Sequence, residues 1–326
     1  MRVRSVISAS VVGLALCALA PAHAADEAGT EPQIVTQGSL HEALFDVQFD
    51  GQNGLAVGMP ALLIESADGG TSWSRTQLPE AGGAFLGAAV KGDEALVVGQ
   101  MGLVARKQDG DWELLERPTE ERLLAVALDG NGLAYAAGGF GTLFKSDDMG
   151  ESWTSVAPDW EPLMHDYVEP HLNDVIVAEN GTIYVAGEFG FVMRSEDQGE
   201  TWTVDRASKE GAPSVFGLYQ APDGTLWGVG QRGLVMHRNS ETGEWTTLNV
   251  GTDAILLDIA ANNQGFLLVT GIRKLLVLDS DGRVVDTIVN NDIKTNWYQG
   301  VATPGGDKSD AHIFVGHHAR IMTNRD

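Results

Sequence analysis

The residues best suited to ligand chemistry lie in one proline-bounded segment. Pro158–Pro170 reads PDWEPLMHDYVEP and carries Trp160, His165 and Tyr167 among carboxylates. Its prolines stiffen the segment and so lower the entropy lost on binding. A long loop with its own aromatic residues is more often functional than filler. We expect this segment to bind a partner. The alternative is that it folds over the mouth of a channel in the protein and plugs it.

Metal and catalytic chemistry find little support in the residue pattern. His165, Asp166 and His171 could together chelate a metal, and His317 and His318 form an adjacent pair. Adjacent residues on a strand point to opposite faces, so this pair is a poor chelate unless it lies in a turn. The chain has no Gly-x-Ser-x-Gly, no His-Glu-x-x-His and no phosphate-binding glycine loop. We therefore predict no metal, no cofactor and no catalytic residue.

The charge balance narrows the classes of partner. The 326 residues include 45 Asp and Glu against 21 Lys and Arg, for a net charge of −24. Phosphate contacts need a basic surface, so nucleic-acid binding is not expected. The only cysteine, Cys17, lies within an apolar N-terminal run that we expect to be removed. A disulfide scaffold, a thiol enzyme and a Cys-ligated metal site are therefore excluded.

The N-terminus reads as an export signal. Arg2 and Arg4 precede a mostly apolar run, and Ala22-His23-Ala24 is a small-x-small cleavage site. The run is too short for a comfortable membrane span. We predict that residues 1–24 are cleaved and that residues 25–326 form a single exported domain, periplasmic or extracellular, monomeric and not membrane-spanning.

A repeat of about 43 residues organises the rest of the chain. A short β-type run ends in glycine at seven places, spaced 39 to 49 residues apart, and a tryptophan follows five of them. The glycine landmarks are Val57-Gly58, Val98-Gly99, Ala137-Gly138, Ala186-Gly187, Val229-Gly230, Thr270-Gly271 and Val315-Gly316, and the tryptophans are Trp73, Trp112, Trp153, Trp202 and Trp245.

Each repeat reads as four short antiparallel strands, which predicts an all-β, seven-bladed β-propeller. In the unit from His171, tight turns separate strands expected at Leu172–Val177, Ile183–Ala186, Phe191–Arg194 and Trp202–Val204. The last unit lacks a fourth strand, and the N-terminal strand 32–36 is expected to close the ring there. The predicted blades lie near 43–75, 84–114, 122–156, 171–205, 214–248, 254–288 and 297–326.

Three of the third turns share a motif, Ser-x-Asp-x-Gly-x-Ser/Thr-Trp, that resembles the Asp-box or bacterial neuraminidase repeat. An Asp in such a turn caps nearby backbone N–H groups, glycine takes a conformation that other residues resist, and tryptophan packs between blades. We expect a structural role for these residues: Ser66, Asp68, Gly70 and Trp73; Ser146, Asp148, Gly150 and Trp153; Ser195, Asp197, Gly199 and Trp202.

The chain after the leader also resembles the photosystem II stability/assembly-factor propellers. The blade pattern of that family is roughly Val-Gly-x-x-Gly-x-Ile-x-x-Ser-x-Asp-Gly-Gly-x-x-Trp. Val57-Gly58 and Leu62–Trp73 together match this pattern, and Val98–Val104 matches part of it. The resemblance implies an exported, non-enzymatic protein that assists assembly of a membrane complex. Relatives also occur in non-photosynthetic bacteria, and we expect this chain to be one of them.

The turns between the second and third strands share one end of a propeller with the connections between blades, and partners usually bind there because loops vary without disturbing the blades. We predict partner binding by the large or charged residues of these turns, although the phenylalanines could instead pack onto neighbouring blades. The candidates are Met101, Phe140, Glu188, Phe189, Arg232, Arg273, His317 and His318, with Trp160, His165 and Tyr167 of the long loop.

Three functions remain in competition at the level of sequence. The first is a scaffold or assembly factor for a membrane or envelope protein complex, which the export signal and the family resemblance favour. The second is a propeller that binds a glycan or small ligand, for which Trp160 and Tyr167 would serve. The third is a sialidase-like glycoside hydrolase, which the Asp-boxes suggest but which the absence of an Arg-Ile-Pro motif disfavours.

Overall fold

The computed structural model describes residues 31–78, 80–164, 169–306 and 310–324. Within these ranges the strands form seven four-stranded antiparallel sheets. The innermost strand of each sheet contacts that of the next, and the innermost strand of the last sheet contacts that of the first. The predicted seven-bladed β-propeller is therefore confirmed. None of the helices in these ranges is long and apolar enough to cross a bilayer.

The first strand, β1 (Gln33–Thr36), is the outermost strand of blade 7. Blade 1 consists of β2 (Ala43–Asp50), β3 (Asn53–Met59), β4 (Leu62–Ser66) and β5 (Ser74–Gln77). Blade 2 consists of β6 (Phe85–Lys91), β7 (Glu94–Gly99), β8 (Val104–Gln108) and β9 (Asp111–Leu114). Blade 3 consists of β10 (Leu123–Leu128), β11 (Ala134–Gly138), β12 (Leu143–Ser146) and β13 (Thr154–Ser155). Helix α1 (Glu161–Met164) follows blade 3.

Blades 4 to 6 are β14 (Leu172–Val177), β15 (Ile183–Gly187), β16 (Val192–Ser195) and β17 (Thr203–Arg206); β18 (Val215–Gln220), β19 (Leu226–Gly230), β20 (Val235–Arg238) and β21 (Trp245–Leu248); β22 (Leu256–Ala261), β23 (Leu267–Gly271), β24 (Leu275–Leu278) and β25 (Val284–Ile288). Helix α2 (Asn291–Thr295) leads to blade 7, which is β26 (Tyr298–Ala302), β27 (Ile313–Gly316), β28 (Ile321–Thr323) and β1.

The two ends of the described chain meet in blade 7. Strand β1 runs antiparallel to β28, with Gln33 opposite Thr323 and Ile34 opposite Met322. The N-terminal strand thus supplies the fourth strand that the last repeat lacks. Main-chain hydrogen bonds between the two ends close the ring, and the outer edge of β28 is not left unpaired.

The glycine that ends each second strand is required by a close approach of two backbones. A Cβ atom on Gly58 would lie 1.8 Å from the carbonyl oxygen of Ala43, and one on Gly271 would lie 2.5 Å from that of Ile255. The other five glycine landmarks have equivalent contacts of 1.9 to 2.3 Å. No side chain fits at these distances, so the repeated glycine reflects the packing of the second strand against the start of the first.

The hydrophobic core is divided among the seams between blades. Between blades 2 and 3, for example, Leu96, Leu123 and Val126 are buried together, with Trp153 packed against them. Leu44 and Ile313 do the same between blades 1 and 7. Each seam buries the branched and small residues of a second strand on both faces, which explains why these strands read as continuous apolar runs.

Each inner strand carries an irregularity at the same place. Its pairing with the second strand shifts by one residue close to its start, and the residue at the shift lines the central channel. Such bulges re-aim a side chain. The residues aimed into the channel form a collar of Phe45, Leu86, Leu124, Asn173, Phe216, Leu257 and Gln299.

Candidate functional site

We use the name loop face for the end of the propeller that carries the second turns of the blades and the connections between blades. Main-chain hydrogen bonds join these two sets of loops: the amide of Gly141 donates to Pro170 (2.8 Å), that of Gly233 to Ala254 (2.7 Å) and that of Arg273 to Asn296 (2.9 Å). The second turns are 59–61, 100–102, 139–141, 188–190, 231–233, 272–274 and 317–319. The described connections are 37–42, 80–84, 115–122, 156–164, 169–171, 207–214, 249–255 and 289–297.

Six of the seven second turns share an unusual backbone conformation. Their middle residue is not glycine yet has a φ of 51° to 58°, in the left-handed region. These residues are Met101, Phe140, Phe189, Arg232, Arg273 and His318. The left-handed region costs a non-glycine residue roughly 1–2 kcal/mol. In blade 1 the turn instead contains a cis Met59-Pro60 bond followed by Ala61.

Large apolar side chains are concentrated on the loop face. Ten are exposed among the described residues, and seven of these lie on this face. Leu40 is 75% exposed and Phe140 is 56% exposed, and the other five are Met59, Met101, Ile255, Ile272 and Val289. The remaining three, Ile34, Val284 and Val285, lie on the outer strands of blades 7 and 6. Exposed apolar groups gathered on one surface are typical of a binding site.

Several predicted site residues lie on this face but differ in accessibility. Met101, Phe140, Arg232 and Arg273 are exposed. Phe189 is half-buried and packs against the core between blades 3 and 4. The two phenylalanines therefore differ: Phe140 is exposed to solvent, whereas Phe189 packs onto the neighbouring blade.

The predicted Glu188 and the two histidines contribute mainly to local structure. The Glu188 carboxylate accepts a hydrogen bond from the amide of His171 at 2.9 Å. His317 is buried, and the His318 ring lies 4.6 Å from it. In the part of the chain that the structure describes, no group of three His, Cys, Asp or Glu side chains could hold a metal ion.

The proline-bounded loop is anchored to the blades by its first half. Trp160 is buried, and its ring meets Phe191 edge-on with centroids 6.3 Å apart. A Cβ on Gly141 would lie 2.3 Å from the indole nitrogen of Trp160, so a glycine is needed beneath this ring. Met164 is also buried there. The predicted His165 and Tyr167 lie outside the described residues.

A polar cluster underlies the second turn of blade 7. Asp292 accepts hydrogen bonds from Tyr298 and Arg320. Burial alone would raise the pKa of Asp292, but these two donors outweigh it and the pKa is lowered. Burial lowers the pKa of His317, which lies beside this group, so the imidazole is held neutral. The cluster fixes the turn that carries His318.

Three channel carboxyls were not anticipated from the sequence. Asp46, Asp174 and Asp258 follow the bulged residue of their inner strands, and each accepts the amide of the next blade's inner strand. The donors are Ala88 (2.8 Å), Leu218 (2.6 Å) and Val301 (2.8 Å), respectively. The carboxyls therefore link blades 1 and 2, 4 and 5, and 6 and 7. A signal did exist in the sequence, because the equivalent position in each receiving blade is glycine: Gly87, Gly217 and Gly300.

The channel carboxyls are hard to ionise. Removal from water raises the pKa of all three, that of Asp174 to about 7. The charge of Asp46 raises the pKa of both Asp174 and Asp258 further. The channel has a volume of about 820 Å³. Because their oxygens already accept main-chain amides, these carboxyls act as clamps between blades.

The three Asp-boxes lie at the opposite end, in the third turns. Asp148 accepts the amide of Ser152 at 2.9 Å, and the Ser146 hydroxyl accepts that of Gly150 at 2.8 Å. The other two boxes repeat this geometry. Hydrogen bonds from the turn lower the pKa of Asp68 and Asp197 to about 2. These contacts satisfy the turn itself and leave the loop face to other residues.

Comparison with known proteins agrees with this architecture. The family described as "Photosynthesis system II assembly factor YCF48" matches residues 29–117. The photosystem II assembly lipoprotein Ycf48 of Synechococcus sp. (strain CC9902) is 30% identical over 115 residues, which are 33% of this chain and 34% of that protein. This chain resembles the photosystem II assembly-factor propellers. The sequence match spans about a third of that relative's length.

Solved structures extend the likeness of fold to nearly the whole chain. A structure of YCF48 bound to D1 peptide superposes with a TM-score of 0.70 at 18% identity, covering 92% of this chain and 97% of the other. A catalytically inactive virginiamycin B lyase from Staphylococcus aureus with quinupristin superposes with a TM-score of 0.73 at 13% identity, covering 90% and 98%. The same fold thus occurs in an assembly factor and in an enzyme.

Proposed function

We propose that this chain is a non-enzymatic, exported scaffold that assists assembly or stability of a membrane or envelope protein complex by binding a polypeptide segment on its loop face. One observation carries the proposal: seven of the ten exposed large apolar side chains of the described residues lie on that face. The resemblance to photosystem II assembly factors supports it, since one of those propellers is known bound to a peptide.

The construction of the turns suits this role. Interface energy is concentrated in a few large side chains that enter fixed pockets or present fixed surfaces. Met101 and Phe140 are exposed on turns whose backbone is hydrogen-bonded to the residues at the start of the inner strands. For example, the amide of Gln100 donates to the carbonyl of Ala84 at 3.0 Å. A turn held in this way loses little freedom on binding.

The channel is less suited to catalysis than its three carboxyls suggest at first sight. A two-carboxylate hydrolase needs both groups free to reach a substrate. Each carboxyl here accepts the amide of the neighbouring blade. We therefore place function at the loop face and give the channel carboxyls a structural role.

Site-specific photo-crosslinking in cells tests the proposal. A photoreactive phenylalanine analogue replaces Phe140, and in a matched control it replaces Val285, which is also exposed but lies on the outer strand of blade 6. We expect position 140 to crosslink a subunit of a membrane or envelope complex and position 285 to give no such product. Deletion of the protein should lower the amount of the assembled complex on native gels. Identical products from both positions, together with an unchanged complex, would contradict the proposal.

A further inference from the structure

All the sulfur of the predicted exported domain belongs to methionine. The only cysteine, Cys17, lies within the residues that we expect to be cleaved. Seven methionines lie in the described residues, and five of them are buried, with at most 8% exposed. The five are Met149, Met164, Met193, Met236 and Met322. The other two, Met59 and Met101, are 41% and 53% exposed, so these are the described thioethers that a dissolved reagent can reach.

Both exposed methionines lie on the loop face, in the second turns of neighbouring blades. Met59 ends β3 at the second turn of blade 1, and Met101 is the middle residue of the second turn of blade 2. Gly83 lies between the two turns. Its carbonyl accepts the amide of Ala61 at 2.8 Å, and a Cβ atom on it would lie 3.9 Å from the terminal carbon of Met101. The two thioethers are therefore presented by adjoining turns of one surface.

The two methionines are the middle of a longer apolar surface. Leu40 lies on the connection that leads into blade 1 and is 75% exposed, and Phe140, in the second turn of blade 3, is 56% exposed. We use the name apolar row for Leu40, Met59, Met101 and Phe140, in their order around the ring. A polar group at the two middle positions would divide this row.

The fold does not depend on the two exposed sulfur atoms. Main-chain hydrogen bonds hold both turns, from Ala61 to Gly83 at 2.8 Å in blade 1 and from Gln100 to Ala84 at 3.0 Å in blade 2. A chemical change at either sulfur therefore alters the surface and leaves the backbone of the turn in place. The same change at the fully buried Met193 or Met236 would put a polar group into the core.

Methionine is the member of the apolar row that can be oxidised reversibly. A sulfur lone pair attacks one oxygen of hydrogen peroxide, the O–O bond breaks and an S–O bond forms. The proton on the attacked oxygen passes to the departing hydroxide, which leaves as water. Sulfur is oxidised by two electrons, and the polar sulfoxide is restored to the thioether by methionine sulfoxide reductases. Hydrogen peroxide is uncharged, so the net charge of −24 does not repel it.

Resting on the proposed function, we propose that Met59 and Met101 are an oxidative modification site, at which a hydroperoxide makes the centre of the apolar row polar and thereby releases the bound partner. Methionine suits an adaptable apolar contact because its side chain is flexible and polarizable. The sulfoxide oxygen must lose its water when the partner covers it, and this cost opposes binding. Reduction of the sulfoxide restores the contact.

Mass spectrometry of the peroxide-treated protein tests the chemical step. Trypsin places each methionine of interest alone in one peptide: Met59 in the peptide that ends at Arg75, Met101 in residues 92–106 and Met236 in residues 233–238. We expect Met59 and Met101 of the folded protein to gain one oxygen atom at least about tenfold faster than the buried Met236. In denaturant the three rates should be similar.

The photo-crosslinking assay tests the effect on binding. Cells with the photoreactive residue at position 140 are exposed briefly to hydrogen peroxide before irradiation, and we expect the yield of crosslinked partner to fall about tenfold. The variant Met59→Leu with Met101→Leu carries apolar side chains that peroxide does not oxidise, so its yield should be the same in treated and untreated cells. Oxidation of the partner itself would instead lower both yields.

A polar substitution tests the same step without peroxide. Met59→Gln with Met101→Gln should lower the crosslink yield about tenfold in untreated cells. The matched control is Val284→Gln with Val285→Gln, at side chains that are 39% and 47% exposed on β25, away from the loop face. Its yield should change by less than about twofold. Thermal unfolding of both variants confirms that they fold.

Three results would overturn the inference: oxidation of Met59 and Met101 no faster than that of Met236, an unchanged crosslink yield after both are oxidised, or equal losses in the wild type and the leucine variant. Failure of the proposed function gives a different result, because position 140 then yields no partner product even in untreated cells, and the inference falls with it. A product that forms and withstands oxidation refutes the inference alone.

Discussion

The substitution Asp174→Asn should destabilise the protein at low pH and stabilise it at neutral pH. The Asp174 carboxylate accepts the amides of Leu218 at 2.6 Å and Val175 at 2.8 Å. An asparagine keeps one of these acceptors and turns an N–H₂ group toward the other donor. We expect the loss of one buried hydrogen bond to cost about 1–2 kcal/mol at pH 4.5.

The greater stability of the variant at higher pH follows from the raised pKa of Asp174 in the wild type. Removal from water raises the pKa of Asp174 from 3.8 to about 7. A raised carboxyl pKa stabilises the fold below pH 3.8, and this contribution is lost as the pH rises from there to about 7. A shift of about three units at 1.36 kcal/mol per unit corresponds to about 4 kcal/mol. The variant cannot ionise, so it should exceed the wild type by about 2 kcal/mol at pH 7.5.

Denaturant unfolding at several pH values between 4.5 and 8 measures this difference directly. The control is Asp197→Asn, at an exposed carboxyl whose pKa is lowered by hydrogen bonds from Thr201. The pKa of Asp197 is lowered from 3.8 to about 2, so its contribution to stability is complete above about pH 5, and the difference between the wild type and this control variant should stay nearly constant over the range measured. A difference between wild type and Asp174→Asn that does not change with pH would refute the account of the channel carboxyls.

The remaining predictions concern the blade repeats and export. Gly58→Ala places a Cβ atom 1.8 Å from a backbone oxygen, so it should lower the free energy of unfolding by about 3 kcal/mol or prevent folding. Gly82→Ala, which meets nothing within 4 Å, should change it by less than about 0.5 kcal/mol in the same denaturation assay. Asp148→Ala should cost about 1 kcal/mol by removing the acceptor of the Asp-box turn, whereas the exposed Glu200→Ala should be neutral. Mass spectrometry of the exported protein should find Ala25 at its N-terminus, and a retained leader would refute the predicted cleavage.

The features that could be predicted from the sequence are those with a local physical cause that recurs. Gly58 and its six equivalents recur because a backbone oxygen lies too close for any side chain. The spacing of these glycines therefore reports the blade count. The Asp-box turn is likewise local, since Asp148 and Ser152 are four residues apart.

Features that depend on contacts with the next blade could not be predicted from the sequence. Asp46 accepts an amide 42 residues away, and the bulge that aims it is a property of strand pairing. Trp160 was expected to bind a partner, whereas its ring packs over Gly141 and against Phe191.

The second turns separate what the fold requires from what it permits. Main-chain hydrogen bonds hold these turns, and they impose no side chain on the middle position. Glycine would occupy the left-handed conformation without the cost of roughly 1–2 kcal/mol, yet six blades carry methionine, phenylalanine, arginine or histidine there. Phe189 packs against the core, but folding alone gives no reason for the exposed residues of this set at a strained position. Binding does give one, because a strained and anchored turn presents its side chain in a single place. Met101, Phe140, Arg232 and Arg273 are the exposed members of this set, and they are the residues to which we assign recognition.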